Sequence, residues 1–485
     1  MSVAQIPVRQ ERISSVPTRH PWWRLTLLCA LLFMSMAFNI YLLLTAPPAG
    51  SSTTSFIAVW LLSFLPYIAA CVLVLVTKPQ VGWRRWVELG LILVGALVLR
   101  AIVLPVLPNL SHDSWRYLWD ARVTLRGYSP YVYGPGDPHF ASLRDFIYAN
   151  SRFRSVPTIY PPGAQGIYLL SYLVAPSNLL VLKGIFVGLD LVTCGALAFL
   201  LQRKGLDMSR CIIYAWCPLP ILEFAIEGHL DASTITFTVL AVICAGSHWR
   251  GSRVVTGFLI ALATLTKLYP VLLLLVVIRR RDWALLTTCF ATIILAYVPY
   301  LILGQGQILG FFATYASEQT PNAGITQLVI VWIGTRFSLN GTLVTLLIYL
   351  CDLILVGSIS LIILRLRRQR RISMEAGTLL LMGTIFAVSS HIFPWYTAAF
   401  LPWIATQVGP LEIRPWSLNE GRLAIIFVWY FTCGTIISYF FNWNIYYLLV
   451  YDVTLAGFGI LIVAGIIGNR HMFNNGTGLF KNRPH

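Results

Sequence analysis

The densest group of polar and aromatic side chains in this sequence is residues 111–134, which hold two aspartates, three arginines and six aromatic rings. Asp113, Arg116, Tyr117 and Asp120 follow one another at the spacing of one helix face. A carboxylate on such a face can take the proton of a hydroxyl group, so Asp113 is our candidate general base. The alternative is that Asp113 only caps the start of this helix.

Three other polar clusters interrupt apolar parts of the chain. They are residues 227–231 with the sequence EGHLD, the lysine Lys267, and residues 391–396 with the sequence HIFPWY. One isolated acid, histidine or lysine is more often structural than catalytic. Whether these clusters form one site therefore depends on where the rest of the chain places them.

The composition requires a membrane as the solvent. The chain is 57% hydrophobic and 11% charged, whereas a soluble domain is about 25% charged. Eight apolar runs approach or exceed the roughly 20 residues that cross a bilayer as a helix. These runs are Leu25–Leu44, Phe56–Val76, Val87–Leu107, Leu180–Leu201, Trp283–Leu303, Thr342–Leu364, Leu423–Phe441 and Trp443–Ile467. We predict an all-α polytopic integral membrane protein with about 12–14 transmembrane helices.

Lysine and arginine cluster in alternate gaps between these runs, which is the positive-inside pattern. Residues 279–281 and 365–371 are basic, whereas residues 46–55 and 227–231 hold no lysine or arginine. The pattern places both termini in the cytoplasm and the protein in the plasma membrane. Anionic lipid head groups explain the net charge of +17 better than nucleic acid does. The predicted divisions are a cytoplasmic arm at 1–24, one transmembrane domain at 25–467 and a cytoplasmic tail at 468–485.

The run Val254–Ile278 has cytoplasmic arginines at both ends, so it must enter and return as a hairpin of two half-length helices. Its turn is the sequence Lys267-Leu268-Tyr269-Pro270. Broken helices at membrane depth line polar cavities or are buried in protein. We expect Lys267 at the floor of a cavity that opens to the exterior side, and the alternative is a lysine that snorkels to the interface.

The longest stretch without a span, residues 108–179, is expected on the exterior side. Its proline pairs and aromatic residues favour an ordered loop with short helices in the headgroup layer, one of them carrying Trp115 and Trp119. Residues 227–231 and 391–396 are expected on the same side. The topology therefore predicts that the polar clusters converge on one exterior site.

Taken together, these motifs resemble those of GT-C membrane glycosyltransferases, and the chain is similar to bacterial polyprenyl-phosphate-mannose-dependent α-mannosyltransferases. The similar features are HDSWRYLWDARVTLRGYSPY, the turn Tyr160-Pro161-Pro162, EGHLD, ATLTKLYPVLLLL before a basic cluster, and HIFPWY. They lie between residues 112 and 396 and so cover most of the chain.

The resemblance implies an inverting transfer of a hexose, expected to be mannose, from a polyprenyl-phosphate donor to a lipid- or glycan-linked acceptor. Asp113 would be the general base. Lys267 would stabilise the leaving phosphate. The other expected site residues are His391, Arg116, Tyr117 and Tyr396 for the donor, and Asp120, Glu227, His229 and Asp231 for the acceptor or the sugar. No cofactor is expected to be required, and a divalent metal ion is optional because the donor carries one phosphate.

The competing interpretation is a secondary transporter or a lipid flippase. Such proteins carry polar groups near the membrane midplane in both halves of the chain, often as inverted repeats. In this chain the polar clusters collect on one face, which favours a glycosyltransferase. The expected partners are the lipid-linked donor, the acceptor and membrane lipids, with no nucleic acid.

Overall fold

The structure is a computed structural model, and it describes residues 22–46, 54–311, 324–389, 392–409, 420–439 and 443–461. These residues form helices joined by turns and loops, and no strand occurs among them. The prediction of an all-α polytopic membrane protein is confirmed. Most of the predicted N-terminal arm and the whole predicted tail lie outside the described residues.

Six helices in the described ranges are long and apolar enough to cross a membrane. They are Trp23–Thr45, Thr54–Val76, Arg84–Val103, Leu179–Arg203, Trp283–Leu303 and Gly341–Arg368. Each overlaps a predicted apolar run, and the second is interrupted at Ser63. Only 11% of the apolar window of Gly341–Arg368 is buried, so most of this helix presents apolar surface of the kind that lipid covers.

The count of about 12–14 crossings stays a prediction, and the remaining apolar helices of the described residues are shorter or broken. Met208–Ala215 and Pro218–Ile226 form a pair bent by 46°, which is a seventh candidate span if the pair counts as one. Shorter apolar helices are Asp231–Ala245, Ser252–Thr266, Met374–Val388, Leu423–Tyr439 and Leu449–Leu461. Further helical segments are Ile325–Arg336, Pro394–Thr397, Ala398–Phe400, Leu401–Gln407, Trp443–Tyr446 and Tyr447–Asp452.

The segment around Lys267 is a hairpin, as predicted. Its arms are the α-helix Ser252–Thr266 and a shorter return formed by Tyr269–Leu273 and Leu274–Val277. Arg253 donates a hydrogen bond of 3.0 Å to the carbonyl oxygen of Val277, so the two open ends lie side by side. The return arm begins as a 3₁₀ helix with Pro270 in its first turn, where the missing N–H of proline is tolerated.

Four short helices fill the long loop before the Leu179–Arg203 helix, and Arg122 ties them together. They are Asp113–Leu125, Pro138–Leu143, Phe146–Asn150 and Pro162–Val174. The Arg122 guanidinium donates hydrogen bonds to the carbonyl oxygen of Leu143 (3.0 Å) and the carboxylate of Asp145 (2.8 Å). It also donates to the hydroxyl groups of Tyr172 (3.1 Å) and Ser177 (3.0 Å). The loop is therefore a packed unit.

The Asp113–Leu125 helix differs from the helix predicted to lie in the headgroup layer. All residues from 114 to 123 are buried, and Trp115 and Trp119 are only 7% and 1% exposed. The helix packs against Pro162–Val174, Phe146–Asn150 and Leu179–Arg203. Its aromatic rings therefore bury their surface within the protein, which holds the helix more rigidly than a lipid interface would.

Candidate active site

Asp113 is the first residue of its helix, and its half-buried side chain lies on the wall of a cavity of about 430 Å³. Carboxylate oxygen Oδ2 accepts a hydrogen bond of 3.0 Å from the hydroxyl group of Tyr160. Oxygen Oδ1 accepts no hydrogen bond from the described residues, so it is available to a ligand. Asp113 itself does not cap this helix, because the N-cap residue is His112 and the amide group of Asp113 donates a hydrogen bond of 3.2 Å to the hydroxyl group of Ser111.

Glu227 fixes the backbone that leads to Asp113. Its two carboxylate oxygens accept hydrogen bonds from the amide groups of Asn109 (3.3 Å), Leu110 (3.1 Å) and Ser111 (2.8 Å). Glu227 is 0% exposed and does not line the cavity. The sequence analysis expected Glu227 to position a sugar, whereas the structure places it where it positions the candidate base.

The turn of the EGHLD motif packs directly on the start of the Asp113 helix. Gly228 has a φ of +74°, and a Cβ atom there would lie 3.0 Å from Cγ of Lys183 and 3.1 Å from Cβ of Ser114. Lys183 in turn donates hydrogen bonds to the carbonyl oxygens of Leu104 (2.7 Å) and Val106 (2.5 Å). Glycine fits this backbone conformation and this close approach, whereas any side chain there would be strained.

Arg116 and Asp120 form the predicted ion pair on one helix face, with 2.8 Å between Nε and Oδ1. The other two guanidinium nitrogens of Arg116 donate to the carbonyl oxygens of Phe153 (2.8 Å) and Val156 (3.0 Å), which belong to the cavity wall. Asp120 is buried away from the cavity and also accepts a hydrogen bond of 3.3 Å from Gln165. This pair therefore shapes the wall beside Asp113.

Aromatic rings form much of the cavity wall. They come from the long loop 108–179, from Phe311, from the segment that begins at Phe393 and from the C-terminal part of the chain. The rings are those of Phe153, Tyr160, Phe311, Phe393, Trp395, Tyr396 and Tyr439. A cavity of about 430 Å³ lies within the usual range for small-molecule sites. Apolar rings with a few polar atoms suit a sugar that is attached to an apolar carrier.

Lys267 lies behind this aromatic wall. Its Nζ atom is 3.4 Å from Oδ2 of Asp231 and 3.8 Å from the ring centroid of Tyr396. Tyr396 lines the cavity, whereas Lys267 and Asp231 do not. The sequence analysis placed Lys267 on the cavity floor. In the structure Lys267 lies against the Tyr396 ring and does not line the cavity itself, and it pairs with the buried carboxylate of Asp231.

His229 supports the same wall from another side. Its ring stacks on Trp395 with 3.9 Å between the ring centroids, and its Nδ1 is 2.8 Å from Oε2 of Glu223. The hydroxyl group of Tyr439 donates a hydrogen bond of 3.3 Å to Oε1 of Glu223. His229 and Glu223 are fully buried, while Trp395 and Tyr439 line the cavity. His229 therefore reaches the cavity indirectly, through its stacking on Trp395 and through Glu223 to Tyr439.

Tyr117 orients the hydrogen-bond donor of Asp113. Its ring stacks on Tyr168 with 4.3 Å between centroids. Its hydroxyl group donates a hydrogen bond of 3.3 Å to the hydroxyl group of Tyr160, which itself donates to Asp113. The turn Tyr160-Pro161-Pro162 is visible in the sequence, but the sequence gives no sign that Tyr160 contacts the candidate base.

His112 and Arg152 also line the cavity, although the sequence analysis did not select them. Nδ1 of His112 is 2.9 Å from the carbonyl oxygen of Asn150. Burial lowers the pKa of the His112 imidazole, and the charge of Arg152 lowers it further, so this ring is neutral near pH 7. The exposed side chain of Arg152 forms no hydrogen bond with the described residues, and its charge is available to an anion.

Two expectations about the site stay predictions. His391 lies outside the described residues. Among the residues that the structure does describe, no group of three or more His, Cys, Asp or Glu side chains is placed to hold a metal ion.

Comparison with known proteins gives one match. A sequence model of glycosyltransferase family 87 matches residues 159–409, which is more than half of the chain. No curated protein and no solved structure matches. The matched range contains the EGHLD motif, Lys267 and the aromatic wall around Trp395, and Asp113 lies ahead of it. The chain belongs to glycosyltransferase family 87, a GT-C type family of membrane enzymes.

Proposed function

We propose that this glycosyltransferase moves a hexose, with mannose as the favoured sugar, from a polyprenyl-phosphate donor to a hydroxyl group of a lipid- or glycan-linked acceptor. The observation that carries the proposal is the available Oδ1 atom of Asp113 on the wall of a largely aromatic cavity. This reaction needs a general base next to a site for the apolar carrier of the sugar. Family membership favours transfer over the transporter or flippase alternative.

In the proposed step, Oδ1 of Asp113 accepts the proton of the acceptor hydroxyl group while the acceptor oxygen bonds to the anomeric carbon. The bond between that carbon and the phosphate oxygen breaks, and its electron pair leaves with the polyprenyl phosphate. The sugar ring carries positive charge in an oxocarbenium-like transition state. Attack from the face opposite the phosphate inverts the anomeric carbon. Tyr160 keeps the carboxylate oriented by its hydrogen bond to Oδ2.

Negative charge develops on the leaving phosphate, and a cation held in advance at that position lowers the barrier. Lys267 remains the proposed stabiliser of the leaving phosphate, because its ammonium group lies 3.8 Å from the centroid of the Tyr396 ring, which lines the cavity. Arg152 is a second candidate, because its guanidinium lies on the cavity wall itself. Arg116 is a weaker candidate, since its three nitrogens already donate hydrogen bonds to the protein.

The proposed reaction takes place on the exterior face of the plasma membrane, with both termini in the cytoplasm. The alternation of basic and non-basic gaps supports this orientation. A lipid-linked donor and a lipid- or glycan-linked acceptor are both accessible from that face.

The test uses purified full-length protein in lipid vesicles with radiolabelled polyprenyl-phosphate-mannose and a membrane extract as the source of acceptors. We expect label in an acceptor fraction without any nucleotide sugar. A parallel reaction with polyprenyl-phosphate-glucose tests the choice of hexose. Transfer from a nucleotide sugar but not from the lipid-linked sugar would show that the proposed donor class is wrong.

A further inference from the structure

A second cavity, of about 860 Å³, lies at the opposite end of the Ser252–Thr266 helix from Lys267. A helix of this length rises about 21 Å. The second cavity shares no lining residue with the cavity around Asp113. It is therefore separate from the candidate active site.

Two basic segments that are far apart in the sequence meet at this cavity. Arg279 and Arg280 come from the first segment, and Arg367, Arg368 and Arg370 come from the second. The positive-inside rule explains why each segment is basic. It does not explain why both converge on one cavity.

No carboxylate of the described residues forms an ion pair with these arginines, although the charge of Glu375 acts on Arg367 from a distance. No lining residue is acidic. Asp282 pairs with Arg253, and Glu375 pairs with Lys204 at 2.7 Å, so both acids near these segments are bound to other cations. The cavity therefore carries a strong positive charge.

Backbone carbonyl groups hold two of the five guanidinium groups in place. Arg279 donates a hydrogen bond of 2.8 Å to the carbonyl oxygen of Ala245. Arg367 donates to the carbonyl oxygens of Val276 (3.2 Å) and Ile372 (2.9 Å). A neutral carbonyl group orients a guanidinium but leaves its charge uncompensated. The side chains of the other three lining arginines form no hydrogen bond with the described residues.

The end of the Gly341–Arg368 helix turns sharply at Arg370. The amide group of Arg371 donates a hydrogen bond of 2.9 Å to the carbonyl oxygen of Leu366, and Arg370 has a φ of +57°. Glycine is the usual residue at such a helix end, since other residues resist this conformation. Arg370 occupies this position although the conformation is costly for a residue other than glycine, and its side chain lines the cavity.

The rest of the wall is apolar, which indicates the kind of anion that fits. Val276, Val277, Leu364 and Met374 line the cavity together with the arginines. An inorganic phosphate ion would fill little of about 860 Å³ and would leave this apolar surface unused. A basic pocket between membrane helices, with apolar walls, suits the head group of an anionic lipid.

We propose that this cavity binds the phosphate head group of an anionic membrane lipid. The arginines contact the phosphate oxygens, for which guanidinium geometry is well suited, and the apolar wall contacts the first part of the lipid chain. The lining segments belong to gaps expected in the cytoplasm, so the lipid comes from the inner leaflet. The proposal does not depend on the glycosyl transfer proposed above.

The test is lipid binding to delipidated full-length protein in neutral detergent, measured by native mass spectrometry. The probes are a phosphatidic acid, a polyprenyl phosphate and a phosphatidylcholine. We expect one tightly bound anionic lipid, and the first two probes show whether a glycerophospholipid or an isoprenoid phosphate is preferred. The double variant Arg280→Gln/Arg370→Gln should bind it at least about tenfold more weakly, as expected for lost charge-assisted hydrogen bonds.

The matched control is Arg84→Gln/Arg85→Gln, which removes the same charge from residues 77–86, a basic gap between the predicted runs Phe56–Val76 and Val87–Leu107 that the positive-inside pattern also places in the cytoplasm. It should retain the affinity of the unmodified protein within about twofold, which is less than one such hydrogen bond. Equal losses in the two double variants would mean diffuse attraction to the basic surface and would overturn the proposal. Displacement of the lipid by millimolar inorganic phosphate would also overturn it, because the cavity would then be a site for soluble anions. Arg85, Arg280 and Arg370 are exposed and Arg84 is half-buried, so we expect folded variants.

Discussion

The substitution Asp113→Asn separates a catalytic role of Asp113 from a structural one. Asparagine has nearly the same shape, and its amide oxygen can still accept the hydrogen bond that Tyr160 donates. It cannot take a proton from an acceptor hydroxyl group. We expect sugar transfer to fall by about 10²- to 10⁴-fold, the usual effect of losing a general base. That loss corresponds to about 2.7–5.4 kcal/mol of transition-state stabilisation.

The same substitution should change the free energy of unfolding much less. Asp113 lies in the first turn of its helix, where a negative charge interacts favourably with the helix dipole by about 0.3–1 kcal/mol. It does not cap the helix, so no capping hydrogen bond is lost. The expected loss of transition-state stabilisation is therefore several times larger than the expected loss in the free energy of unfolding. The two losses can be measured separately.

The assay is the initial rate of label transfer from polyprenyl-phosphate-mannose in vesicles that contain equal amounts of protein, with thermal melting and donor binding as companion measurements. Asp137→Asn is a matched control, because Asp137 lies in the same loop, caps a short helix and does not line the cavity. Asp120→Asn is a poor control, since it would break the buried pair with Arg116. If Asp113→Asn is nearly as fast as the unmodified protein, while a folded Asp231→Asn variant is inactive, the base lies in EGHLD and our assignment fails.

Two further predictions follow from the contacts around the cavity, and a third follows from the predicted topology. Lys267→Met leaves the carboxylate of Asp231 buried without its cation, so we expect a loss of about 3–5 kcal/mol in stability. The double variant Lys267→Met/Asp231→Asn should recover the protein yield yet transfer sugar about 10²-fold more slowly, and full activity in it would make Lys267 purely structural. Glu227→Gln should lower kcat about tenfold through misplacement of Asp113, with donor binding and yield unchanged, and a raised KM at unchanged kcat would contradict this positioning role. Cysteines introduced at Ser142 and Gln369, both exposed, should react with an impermeant maleimide from opposite sides of the membrane, and labelling from the same side would refute the predicted topology.

The architecture could be predicted because the bilayer imposes simple rules on a sequence. Every backbone polar group in the hydrocarbon layer must be paired, so apolar runs of sufficient length become helices. The run Trp283–Leu303 has the same bounds in the sequence and in the structure. The hairpin at Lys267 followed from charge alone, because arginines at both ends of a run exclude a single crossing.

The partners of the site residues could not be predicted, because contacts between distant segments leave no local signal. Nothing in the sequence shows that Glu227 accepts hydrogen bonds from residues 109–111, more than a hundred positions earlier. The pairing of Lys267 with Asp231 is hidden for the same reason. The burial of Trp119 was missed because an aromatic residue near a membrane fits an interface and a packed core equally well.

These contacts give the EGHLD turn a more definite role than its residue types suggest. Glu227 holds the backbone before the candidate base, His229 stacks on Trp395 of the cavity wall, and Asp231 pairs with Lys267. None of the three lines the cavity, yet each is attached to a different part of the site. A transfer reaction needs its reacting atoms within about 3–3.5 Å of each other. One short turn contacts the segments that carry the base, the cavity wall and the cation, so it sets their relative positions. Substitutions in this turn should therefore reduce turnover without removing any group that contacts substrate.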